Sequence, residues 1–127
     1  MPHAWGDIER HFLEAADYMS DHANLQEAMS GLVGWISEND VSKFLFGQTS
    51  MHDLRIFQTD FEGMPHHSSQ CLRISPNFKT KKIEFWFEDT QIEDRQWSRI
   101  EPPHTQALIN RLVGFLNQVG WTKNLVL

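Results

Sequence analysis

One cysteine in 127 residues cannot close an internal disulfide, so the chain does not require an oxidising compartment. No apolar run approaches the roughly 18 residues of a membrane-spanning helix. The opening stretch MPHAWGDIERHF has neither a basic n-region nor an apolar h-region and does not read as a secretory signal. These absences lead to the expectation of a soluble, cytoplasmic protein with no membrane partner. Also missing are a phosphate-binding glycine loop, a dinucleotide fingerprint, a zinc-peptidase helix, an EF-hand loop and a nucleophile elbow. The segment GLVGW (31–35) spaces two glycines three apart, but it lies in a helical pattern and lacks the other fingerprint residues. No cofactor is expected.

Positive charge is scarce: 11 Lys and Arg stand against 17 acids, for a formal charge of −6. The imbalance is local. Residues 1–62 hold eleven acids and three Lys/Arg, while residues 63–127 hold six acids and eight Lys/Arg. An acidic half repels nucleic acid and anionic membranes and favours a basic partner or none, serving in the second case as a solubilising face. The basic run Lys79, Lys81, Lys82 beside Phe78 is too small for the broad positive field that nucleic acid requires.

What the chain does have is aromatic mass: five Trp and nine Phe in a sequence that is 40% apolar. That suits a single globular domain over 1–127, with aromatic side chains to spare for a surface. Ile8, Phe12, Ala15, Ala16 and Met19 recur at helical spacing, with Asp7 placed to cap them. Leu25, Ala28, Met29, Leu32, Val33 and Ile36 form a second stripe, with Asn24 and Glu27 at capping-box spacing. Gly31 and Gly34 weaken that helix by roughly 1 kcal/mol each and signal close approach of another backbone.

Near residue 41 the period changes. VSKFLF (41–46) reads as either a strand or a helical turn, and Gly47–Ser50 as a break. HDLRIFQT (52–59), QCLRIS (70–75), KIEFWFE (82–88) and RQWSRI (95–100) read as strands. Pro102 and Pro103 suit the first turn of a last helix carrying Leu108, Ile109, Leu112, Phe115, Leu116 and Val119. Gly120 would end it, with Trp121 folding back onto its last turn. The expected fold is α+β: two N-terminal helices, an antiparallel meander of four strands or five, and a C-terminal helix packed on the sheet.

The segment GMPHHSSQC (63–71) holds two adjacent histidines and the lone cysteine. His66 and His67 are neighbours, so extended chain points them to opposite sides. His67 and Cys71 are about 13 Å apart along a strand, and His52 sits about 23 Å from the hairpin loop that would hold them. A metal would need its ligands at about 2.0–2.3 Å. The segment is therefore read as a hairpin loop, with no metal expected and Cys71 a half-buried strand residue. Glu88-Asp89 and Glu93-Asp94 flank a turn and read as solvated.

The sheet carries the strongest candidate. If Leu54, Ile56, Leu72, Ile74, Ile83, Phe85 and Phe87 face the core, the opposite face shows Arg55, Phe57, Cys71, Arg73, Glu84, Trp86 and Glu88. With Ile100 inward, alternation adds Trp97 and Arg99 to that second face. Trp and Arg among polar groups are the residue types enriched at protein interfaces. The candidate partner-binding set is Trp86, Trp97, Phe57, Arg55, Arg73, Glu84, Glu88 and Arg99, unless a helix of the same chain covers the face.

Three function classes follow. The first is a small acidic binding or inhibitory protein of the immunity-protein or antitoxin kind, docking through this face or through its acidic N-terminal half. The second is a secretion or assembly chaperone, for which a homodimer would be natural. The third is a small enzyme or metal-binding protein using His52, His66, His67 or Cys71; the absent catalytic motifs weigh against it.

Overall fold

Five antiparallel strands pair in chain order, and three helices lie against one face of the sheet they form. The computed structural model describes residues 4–57, 70–89, 97–119 and Trp121. Helices α1 (Trp5–Tyr18) and α2 (Ala23–Glu38) come first, followed by β1 (Phe46–Ser50), β2 (Asp53–Phe57), β3 (Gln70–Asn77), β4 (Lys82–Asp89), β5 (Trp97–Glu101) and α3 (Thr105–Val119). The expected α+β arrangement is present, with five strands, and α3 packs on the sheet as anticipated.

The helix starts differ from the capping pattern. α1 begins at Trp5 behind Ala4, and Asp7 lies within its first turn rather than ahead of it. Trp5 explains the shift. Its Nε1 donates to the Leu45 carbonyl at 3.3 Å, and its ring lies against Gly47. A tertiary anchor of that size outweighs a local cap of about 1 kcal/mol. α2 begins at Ala23, so Asn24 sits inside the helix; a 3₁₀ turn, Ser20–His22, runs straight into it, and the Ala23 amide is bonded to the Ser20 carbonyl. Pro102 and Pro103 precede α3, where the His104 carbonyl accepts the bond from the Leu108 amide at 3.1 Å.

Gly47–Ser50, read as a break, is most of β1. Gly47 is required there because a Cβ would fall 2.6 Å from the Trp5 ring. β1 and β2 join through Met51 and His52, with Met51 at φ 56°. Between β3 and β4, Asn77 Oδ1 accepts from the amides of Lys79 and Thr80 at 3.0 and 3.1 Å. Lys81 takes φ 60° there and bonds back to the Asn77 carbonyl.

The predicted inward row is the core: Leu54, Ile56, Leu72, Ile74, Ile83, Phe85 and Phe87 are buried against Phe12, Leu25, Met29, Leu32, Leu112 and Phe115. α2 touches both other helices. Its glycines admit side chains, not backbone: a Cβ on Gly31 would collide with Thr105, and one on Gly34 would meet Glu9 Oε2 at 2.8 Å. Trp121 folds back as expected, its amide bonded to the Leu116 carbonyl at 3.1 Å and its ring edge-on to Phe115.

Candidate functional site

Cross-strand partners share a face, so the strand registers sort every strand residue. Across the face opposite the helices, one row reads Gln48, Arg55, Arg73, Trp86, Ser98. The next carries Ser75, Glu84 and Ile100, with Ser50 and Asp53 at its β1–β2 end. The described helices pack on the other face, so no described helix covers Trp86. Its indole is half-buried, and the Arg73 guanidinium lies over the ring, 5.3 Å from its centroid.

Arg73 is held from its other side as well. Its Nε stands 2.9 Å from Asp53 Oδ2, a close ion contact rather than an aligned hydrogen bond. Ser75 Oγ donates to the other oxygen of the same carboxylate. Both charged side chains are less than a quarter exposed, at 24% and 21%. Such a pair contributes more than a surface ion pair, because solvent screens it less. One row over, Asn77 Nδ2 donates to Glu84 Oε2 at 3.0 Å. Arg55 stands directly opposite Arg73 on β2. It is half-buried, and among the described residues no carboxylate pairs with it.

Two of the predicted face residues lie elsewhere. Trp97 is opposite Phe87 and Arg99 opposite Phe85, which puts both on the helical side. Trp97 packs on Phe115 with centroids 5.0 Å apart, and the Arg99 guanidinium lies 5.0 Å from the Trp97 ring centroid. Ile100 instead turns outward and is 64% exposed. Burying an indole against α3 removes more apolar area than burying an isoleucine, and that sets the facing of β5. Phe57 does belong to the face opposite the helices but is only 1% exposed. It forms a second small cluster with Cys71 and Phe46. It is a packing residue, not an accessible one. Glu88 lies opposite Cys71 by register.

The site brings together Arg55, Arg73, Trp86 and Glu84 from the predicted set and adds Asp53, Ser98 and Ile100. Asp53 carried a signal that the sequence reading passed over: it shares the parity of Arg55 on a strand facing Arg73. A concavity of about 430 Å³ runs along β4 and β5, lined by Glu84–Phe87 and Trp97–Ile100.

His52 and Cys71, the imidazole and thiol candidates among the described residues, do not converge. His52 lies in the β1–β2 turn against Phe78, with ring centroids 5.1 Å apart. Cys71 is buried near the start of β3, at the opposite end of the β2–β3 pair. His66, His67 and the loop reading of 63–69 lie outside the described residues, as does the Glu93-Asp94 pair. Among the described residues no three His, Cys, Asp or Glu side chains gather around a common point, and no helix is long and apolar enough to cross a membrane. Compared with known proteins, the chain matches no family model, no curated protein and no solved structure.

Proposed function

We propose that this chain is a small protein-binding module that docks a macromolecular partner on the helix-free face of its sheet. Its action is that of an occluding or inhibitory protein of the immunity-protein or antitoxin kind, in the cytoplasm. The observation that carries this reading is the one-sided stacking of the helices, with Trp86 half-buried on the opposite face beside Arg73. Covering an indole of that kind stabilises a complex by about 1.5–3 kcal/mol. Around it, Ser98 and Ile100 continue the patch with one small polar and one large apolar side chain, both exposed. A central aromatic and arginine with a mixed rim is the usual anatomy of a binding hot spot.

The other surface weighed for docking, the acidic N-terminal half, lies largely on α1 and α2, in the layer away from Trp86. Exposed apolar side chains on α1, Leu13 and Tyr18, are five residues apart and off the spacing of a helical stripe. They lend little weight to a chaperone. Nor do His52 and Cys71, at opposite ends of their hairpin, lend weight to an enzyme.

The test is a photo-crosslinking residue installed at Ser98, with a second protein carrying it at exposed Glu14, each expressed in the native cells. A discrete adduct from Ser98 alone, lost when Trp86→Ala is added, is the expected result. Equal adducts from both positions, or none from Ser98, would sink the proposal.

A further inference from the structure

The centre of the candidate site has an electrostatic imbalance that specifies the occupant. Directly opposed residues on paired strands hold their Cβ atoms about 5 Å apart, and like charges there destabilise the sheet. Arg55 and Arg73 occupy such a pair. Asp53 contacts Arg73 through Oδ2 and receives Ser75 Oγ on Oδ1, so its two oxygens are already engaged. Arg55 has no carboxylate of its own among the described residues. Its guanidinium is half-buried in a row between Gln48 and Arg73, with Trp86 one strand further on.

We propose that the Arg55–Arg73 pair receives a carboxylate side chain from an acidic, extended segment of the partner protein, laid over Trp86. This rests on the docking reading above and adds the chemistry of the partner. Charge complementarity at Arg55 favours an acidic occupant. One carboxylate arriving beside the opposed pair would pair Arg55, which has no carboxylate among the described residues, and offset the like charge across from it. The partner segment must also carry an apolar or small side chain beside the acid, because Trp86 follows Arg73 in the row and Ile100 is exposed in the next. A nucleic-acid backbone needs a longer positive track than two arginines, and the chain's net charge of −6 opposes it. The acidic helices lie in the other layer, and the two carboxylates of the neighbouring row are engaged, Asp53 with Arg73 and Ser75 and Glu84 with Asn77.

The experiment is an NMR titration of the intact chain, following the Nε–Hε signals of Arg55 and Arg73 and the indole N–H of Trp86. The probe is an end-capped decapeptide of alternating glutamate and threonine. Its glutamine–threonine twin and inorganic phosphate run in parallel. The expected result is saturable shifts of all three signals with the glutamate peptide. They should weaken about twofold to fivefold for Arg55→Gln, an effect on the scale of an exposed charge pair, and not for Arg10→Gln on α1. Four outcomes would overturn the proposal: no saturable shift, equal shifts with the glutamine twin, equal shifts with phosphate at the same concentration, or equal loss with Arg10→Gln. A failure here alongside a clean Ser98 adduct would mean that the face docks a partner of other chemistry. Failure of both would remove the docking reading itself.

Discussion

Arg55 and Arg73 face one another across β2 and β3, and the carboxylate beside them, Asp53, contacts Arg73. Like charges directly opposed across a strand pair make Arg55 a locally unfavourable choice for its strand. Replacing it by threonine, a better strand former, should raise stability by about 0.2–1 kcal/mol in urea unfolding. The gain should shrink in high salt. In the opposite direction, Asp53→Asn removes the charge that contacts Arg73 and weakens the acceptor for Ser75, and should cost about 1–3 kcal/mol. If Arg55→Thr proves destabilising, the repulsion argued here is not felt in the fold.

Phe57 and Trp86 belong to the same face and should behave oppositely. Phe57 is 1% exposed in its cluster with Cys71 and Phe46, so Phe57→Ala should cost about 3–5 kcal/mol. Trp86 is only half-buried, and Trp86→Ala should cost under about 2 kcal/mol while leaving a cooperative unfolding transition. Thermal and urea unfolding of the two variants separates them. A Trp86 variant that fails to fold would make the indole a core residue.

β5 is an edge strand whose three central residues are exposed, whereas no residue of the other edge strand, β1, is fully exposed. Arg99 Nη1 donates to the Ser98 carbonyl at 2.7 Å. An arginine folded onto the strand blunts the edge against pairing with another chain. Arg99→Thr should therefore produce concentration-dependent self-association in sedimentation velocity, with Ile100 at the new contact. A variant that stays monodisperse would show that the edge needs no such guard.

Two helical glycines should respond with opposite signs. Gly114 in α3 has nothing within 4 Å of where a Cβ would stand, and Gly114→Ala should stabilise the protein by about 0.5–1 kcal/mol. Gly31 has the Thr105 side chain in that place, and Gly31→Ala should cost about 1–3 kcal/mol despite the better helix propensity. Adding Thr105→Ala should recover part of the loss, as measured in a double-mutant cycle.

Where the pattern in the sequence was strong, it located structure correctly. The period-two runs of β2, β3 and β4 assigned each core residue its face, because one buried face leaves little freedom of register. α3 showed its stripe and its terminal Trp121 for the same reason. The failures share a cause. Trp5 entered α1, Gly47 entered β1 and Trp97 turned toward α3 because of partners distant in the chain: Leu45, the Trp5 ring and Phe115. A short edge strand such as β5 shows alternation but not which parity faces in. The site was half legible. Trp86, Arg73 and Arg55 follow from strand parity, but the Arg55–Arg73 opposition needed the β2–β3 register, which local sequence does not set.

Trp5 and His11 each bond to a carbonyl 40 residues along the chain, at Leu45 and Met51, one just before β1 and one just after it. The hairpins β1–β2 and β3–β4, by contrast, close through a few residues each. Loop-closure entropy separates these contacts: the hairpins and the packing of α1 on α2 close over short turns, whereas the seat of α1 on β1 waits for that strand. α1 thus leaves the ribosome well before the strand it covers, and its two tethers to that strand close only once the strand has emerged.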